Sequence, residues 1–213
     1  MTETRTFRVS LGAAEILQAK DIAAAFLTGA VAAYPTETFY ALGAAAFSTE
    51  AVDRVFRLKK RKASKPLSLV VSDMDMVRGV VRSVPAPFLA LAGEFWPGPL
   101  TLVLPAARGL PERLLGPGGT IAMRIPPLAW LRALVRELGE PLTATSANVS
   151  GEKEIDDPTE VKALFDGRVD LIVDGGPAPG GLPSTIVDLT GERPRILREG
   201  KIPAVRIDAL LRG

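Results

Sequence analysis

Short apolar runs of strand length interleave with segments of helical spacing along the chain, and this alternation constrains the fold more than any other feature. In residues 13–28, Ile16, Leu17, Ile22, Ala23, Phe26 and Leu27 fall near helical spacing, and Gly29 stands where a helix would stop. A strand over residues 30–34 follows. Ser48 or Thr49 can cap a second helix, with Val52, Val55 and Phe56 on its apolar face and Arg54, Arg57, Lys59 and Lys60 on the other. The pattern further predicts strands over 67–71, 100–104, 121–125, 142–144, 171–173, 185–189 and 196–198, and helices over 87–95, 128–138 and 159–165. Elements that interleave rather than segregate argue for an α/β protein with a mixed sheet. A length of 213 residues fits one generous domain whose core needs no disulfide or metal staple.

Two missing residue types narrow the chemistry. The chain has neither histidine nor cysteine. A Ser-His-Asp triad, an imidazole base, an HExxH zinc site, a thiol nucleophile and a disulfide are therefore excluded. Any catalysis must rest on Lys, Arg, carboxylates, hydroxyls, backbone amides or a hard metal ion. The start, MTETRTFRVS, has no signal-peptide core, and the longest uncharged stretch, residues 22–36, is shorter than the ~20 residues that span a bilayer. The expectation is a soluble cytoplasmic protein with no membrane association. A net charge of +2 says little about nucleic acid, so local clustering matters more.

Neither GxxxxGK[ST] nor GxGxxG is present, so a P-loop and a Rossmann fingerprint are both absent. The densest charge is Lys59, Lys60, Arg61, Lys62 and Lys65, just before Pro66. It reads either as a solvated helix C-terminus or as a phosphate clamp, in which Arg supplies a bidentate fork and Lys a point charge. Arg124 sits inside IAMRIP, where a strand would otherwise be apolar, and its charge needs either a structural carboxylate or a ligand's anion. TATSANVSG, residues 143–151, puts hydroxyls and an amide at a strand end, where they serve a ligand or cap the next turn. The WPGPLT segment, residues 96–101, reads as a rigid turn packed by an aromatic. GGPAPGGLP, residues 175–183, is a surface connection or a mobile lid beside a site. The carboxylates of Asp156, Asp157 and Asp170 are explained by caps and surface charge, and no dedicated metal cage is evident.

Taken in order, YPTETFYALG, KKRKASKPL, FWPGPLTLVLP, TIAMRIP, TSANVSG, PSTIVDL and ILREG closely resemble the YrdC family over about residues 13–201. The length is similar to its short, single-domain threonylcarbamoyl-AMP synthases rather than to relatives with an added C-terminal domain. The resemblance implies one YrdC-like domain over residues 1–213, a twisted mixed sheet with helices around a concave basic cavity. It implies that L-threonine, bicarbonate and ATP, with Mg²⁺, give L-threonylcarbamoyl-AMP and pyrophosphate. It also implies a TsaD-type transferase that receives the product for N6-threonylcarbamoyladenosine in tRNA. By the same resemblance Lys59 and Arg61 are the catalytic pair, holding the triphosphate with Lys65 nearby. Thr120, Ser146, Asn148 and Arg198 position the nucleotide. Thr38 and Ser184 hydrogen-bond threonine, and Arg124 clamps its carboxylate.

This chemistry needs no protein nucleophile, because the substrates supply both nucleophiles and the protein orients, desolvates and neutralises. Three positions depart from the family pattern: Ala41 and Lys60 each replace a common glycine, and Val70 stands about where many relatives have a histidine near the amino-acid site. The YALG variant, TIAMRIP and the tail also resemble the YciO branch. Two competing readings stay open: binding of tRNA or double-stranded RNA by the basic loop and concave sheet, and carbamoyl transfer resembling the YrdC-like domain of hydrogenase maturation proteins.

Overall fold

The computed structural model describes residues 3–10, 16–62 and 65–212. The expected helix start at Ala13 and the Ala63-Ser64 part of the basic motif lie outside them. The chain runs β1 (Arg5–Arg8), α1 (Ile16–Leu27), β2 (Val31–Pro35), β3 (Tyr40–Ala44), α2 (Thr49–Lys59), β4 (Ser68–Val70), α3 (Met74–Val80) and α4 (Ala86–Phe95). It continues β5 (Leu100–Pro105), β6 (Thr120–Arg124), α5 (Ala129–Leu138), β7 (Leu142–Ser146), α6 (Pro158–Phe165), β8 (Leu171–Asp174), β9 (Thr185–Asp188), β10 (Arg195–Arg198) and α7 (Ala204–Arg212).

The strands form one mixed sheet of ten in the order β1-β8-β2-β3-β7-β4-β6-β5-β9-β10. Parallel pairs, such as β2 with β8 and β4 with β6, are mixed with antiparallel ones, such as β3 with β7 and β5 with β6. The α/β expectation therefore holds. One face carries a core of Ile22 and Phe26 from α1 against Trp130, Leu131 and Leu134 from α5. The other face buries Val52, Val55 and Phe56 of α2 with Phe88 and Leu91 of α4. Both faces of the central strands are covered, which explains why β2 and β3 are buried at every residue and why their sequence lacks polar alternation.

Local signals account for the element ends. Ser48 caps α2 by accepting from the Ala51 amide, as the sequence predicts. Gly139 ends α5 at φ 77°, the left-handed cap that glycine adopts without a Cβ clash. In the WPGPLT turn, Trp96 meets Phe88 edge to face at 5.3 Å and donates its indole N–H to the Leu100 carbonyl at 2.6 Å. Four elements were not expected: β1, β3, α3 and α7.

Candidate functional site

A cleft of about 430 Å³ opens where the β2–β3 turn, the residues after α2, and strands β6, β7, β9 and β10 converge. Its charged lining is Arg61, Lys65, Arg124 and Arg198, with Glu154 as the one carboxylate among the described residues. Eight of the ten residues singled out from the sequence line it: Thr38, Arg61, Lys65, Thr120, Arg124, Ser146, Ser184 and Arg198. Lys59 and Asn148 do not.

Lys59 is the last residue of α2 and only 1% exposed. Its ammonium donates to the Ser146 carbonyl, to the Asn148 carbonyl at 2.9 Å and to the Asn148 side-chain oxygen at 2.7 Å. The Asn148 amide nitrogen in turn donates to the Glu152 carbonyl at 2.6 Å, and Ser146 Oγ donates to Asn148 Oδ1 at 2.7 Å. Lys59, expected to hold the triphosphate, and Asn148, expected to position the nucleotide, thus bond to one another and to backbone carbonyls rather than lining the cleft. Both groups are committed to folding the loop after β7 onto the end of α2, and that loop presents Ser146 to the cleft. Burial, with the nearby Arg61 charge, pulls the Lys59 amine down to about 8.

Arg61 is braced from behind. Its Nε donates to the Lys65 carbonyl at 2.8 Å and one Nη to the Pro66 carbonyl at 3.0 Å, which fixes the guanidinium plane at the cleft wall. Burial lowers its pKa, as it does that of Arg198. Arg198 donates from Nε and Nη2 to the Ser184 carbonyl, at 3.2 and 2.8 Å. Ser184 Oγ lies 3.0 Å from Thr101 Oγ1, while Thr120 Oγ1 donates to the Pro117 carbonyl at 3.2 Å.

Arg124 ends β6 and is 8% exposed. The sequence left open whether its charge faces a structural carboxylate or a ligand. The structure supplies the carboxylate: Glu37 Oε1 lies 3.1 Å from Arg124 Nε, with side-chain exposures of 10% for Arg124 and 7% for Glu37. Glu37, in the PTET turn, carries no signature of its own in the sequence beyond being a lone charge at the junction of two wholly apolar strands.

Thr38 contacts Thr36 Oγ1 through its hydroxyl at 3.3 Å, and its carbonyl accepts from the Gly180 amide at 2.6 Å. Tyr40 OH donates to the Gly176 carbonyl at 2.8 Å and accepts from the Gly175 amide at 3.2 Å, so the Gly/Pro segment is anchored to the β2–β3 hairpin. Burial pushes the Tyr40 phenol up to about 12. Ala41 contributes its methyl to the cleft wall, whereas Val70 is fully buried and pairs in register with Arg124. Among the described residues no group of three or more His, Cys, Asp or Glu is placed to hold a metal ion. No described helix is long and apolar enough to cross a membrane.

The Sua5_yciO_yrdC family model, described as "Telomere recombination", matches residues 24–200. A curated relative from Pyrococcus abyssi, named threonylcarbamoyl-AMP synthase, is 37% identical over 89% of this chain and 56% of its own length. The structure of P. abyssi Sua5 complexed with L-threonine superposes with a TM-score of 0.90 at 34% identity, covering 99% of this chain and 61% of that one. E. coli YciO superposes with a TM-score of 0.83 at 29% identity, covering 95% and 98% of the two chains. The chain spans little more than half the length of the first curated relatives it matches, 56% and 53%.

Proposed function

Because the chain belongs to the Sua5/YciO/YrdC family, we propose that it is an L-threonylcarbamoyladenylate synthase, a nucleotidyltransferase that acts in the cytoplasm. The observation that carries this reading is the convergence of Thr38, Arg61, Lys65, Thr120, Arg124, Ser146, Ser184 and Arg198 on one cleft. The likeness to a structure that holds L-threonine supports the choice of amino acid.

In this reading the cleft divides by charge. Arg124, neutralised by Glu37 from behind, takes the threonine carboxylate, with Thr38 and Ser184 beside it. Arg61, Lys65 and Arg198 take the phosphates, and Ser146 and Thr120 help position the nucleotide. Bicarbonate takes up a proton and loses water to give CO₂; the threonine amine attacks its carbon, loses a proton and becomes a carbamate. A carbamate oxygen then attacks the α-phosphorus, and the bond to the bridging oxygen of the β-phosphate breaks to release pyrophosphate. Arg61 is placed to stabilise the charge on that leaving group, which is where fixed cations contribute most.

Mg²⁺ enters as part of the nucleotide substrate, consistent with a lining that offers Glu154 as its one carboxylate among the described residues. The anchored segment of residues 175–183 would shield the carbamate and mixed anhydride from water. The product then passes to a TsaD-type transferase acting on tRNA.

Mass spectrometry of the product formed from ATP, bicarbonate and a mixture of amino acids tests the reading. Threonylcarbamoyl-AMP is the expected product, and pyrophosphate should appear only when threonine is present. Its absence from pure protein at ample Mg²⁺ overturns the reading.

A further inference from the structure

Glu37 is buried inside the turn of residues 36–39, at 6% exposure. Its neighbours Thr36, Thr38 and Phe39 line the cleft, but Glu37 does not. Neither carboxylate oxygen has a hydrogen-bond partner among the described residues, and its one ionic contact is Arg124 Nε at 3.1 Å. The adjacent Tyr34 hydroxyl is directed elsewhere, donating to the Thr143 carbonyl at 2.7 Å. A carboxylate left this bare carries a large desolvation cost, so its retention needs a reason beyond stability.

The geometry of Arg124 supplies one. Its buried Nε meets Glu37 Oε1 at 3.1 Å as an ion pair rather than an aligned hydrogen bond, and no hydrogen bond among the described residues engages either Nη nitrogen, although the side chain lines the cleft. An arginine fork binds a carboxylate well only when its plane is fixed. An unpaired guanidinium at this depth would instead turn toward water or a neighbouring carbonyl. We propose that Glu37 is a positioning residue: it grips Arg124 by Nε from behind and leaves the paired Nη groups facing the cleft as a rigid fork for the carboxylate of the amino-acid substrate. The proposal rests on the synthase reading above and deepens it. Glu37 also makes this end of the cleft electrically neutral, so the nucleotide phosphates are drawn to Arg61, Lys65 and Arg198 instead.

The test combines threonine binding by calorimetry without ATP and steady-state pyrophosphate release, for wild type, Glu37→Gln, Glu37→Asp, Arg124→Ala and the Glu37→Gln/Arg124→Ala double variant. Glu37→Gln should raise the threonine Kd and KM at least tenfold while the ATP KM stays within twofold. Glu37→Asp, which keeps the charge, should recover part of that loss. In the Arg124→Ala background, Glu37→Gln should add nothing further, because its effect runs through Arg124. Should Glu37→Gln fail to fold by circular dichroism, Glu37→Asp decides alone: threonine KM raised with ATP KM unchanged supports the role, and both unchanged overturns it. Wild-type threonine binding that Glu37→Gln leaves within twofold overturns the role of Glu37 and leaves the synthase reading intact. A wild type that binds no threonine overturns both.

Discussion

The Lys59 ammonium and the Asn148 side-chain oxygen lie 2.7 Å apart, and neither residue lines the cleft. This contact ties the C-terminus of α2 to the loop that follows β7. Replacing Lys59 with Met leaves the Asn148 carbonyl buried without a donor and takes from the Ser146 carbonyl one of its two donors, the other being the Asn148 amide at 2.9 Å, a loss of about 1–3 kcal/mol. The variant should therefore unfold at lower denaturant concentration and also bind nucleotide more weakly, because the loop presents Ser146. A variant with unchanged stability but lost turnover would instead put Lys59 on the phosphates.

The same lysine sets a pH dependence. Burial and the neighbouring Arg61 charge pull its amine down to about 8 in the folded state, against 10.5 ordinarily. Between those values the unfolded chain binds more protons at this site than the native protein, so the contribution to stability rises with pH. It should grow from about pH 8 toward 10 when read as the urea-midpoint difference between wild type and Lys59→Met. A difference that is flat or falls over that range contradicts it.

Lys60 caps α2 in the left-handed region, at φ 50°, and is the one non-glycine residue with positive φ among those described. Here an L side chain meets its own backbone, a conflict that glycine escapes. Lys60→Gly should stabilise the protein by about 0.5–1 kcal/mol, offset in part by the freer unfolded chain. Thermal unfolding should show the midpoint rising by about 2–3 °C.

Much of this arrangement is legible in the sequence, and the exceptions have physical causes. Amphipathic α2 and α5 announce themselves because one face is apolar and a cap marks an end. YALGA does not read as a strand, since alanine and glycine carry little β signal, yet β3 lies at the centre of the sheet with both faces covered. Arg124 stands out because a charge among apolar neighbours needs a reason, and Arg61 because it lies in the densest basic run. Lys59 shows the limit of this approach. A basic cluster looks uniform along the chain, and only the fold separates the lysine turned inward to two carbonyls from the arginine that faces the cleft.

Gly43 is required by the close approach of two central strands. A Cβ there would lie 1.8 Å from the Thr143 carbonyl oxygen, which is backbone and cannot turn aside. Gly43→Ala must push β3 away from β7, where Ala41 and Leu42 pair with Ser146 and Thr145. The expected loss is about 3 kcal/mol, at the upper end of overpacking penalties. Nucleotide binding should weaken as well, because Ala41 and Ser146 both line the cleft. Chemical denaturation measures the first effect and calorimetry with ATP the second.

Arg61 separates charge from geometry at the phosphate end. Two of its nitrogens are held by the Lys65 and Pro66 carbonyls and the third reaches Thr145 Oγ1 at 3.4 Å on the cleft wall, so the guanidinium is set at the cleft without further ordering on binding. Lysine keeps the charge but cannot both bridge those carbonyls and face the phosphates. Arg61→Lys should therefore lose nearly as much as Arg61→Ala, about 10²–10³ in kcat, as expected when a fixed donor to a developing anion is removed. The threonine Kd, read by calorimetry, should stay near the wild-type value in both, since Arg124 and Ser184 are untouched. Substantial recovery by lysine would mean that Arg61 acts as a point charge, and a parallel loss of threonine binding would move it out of the phosphate end of the cleft.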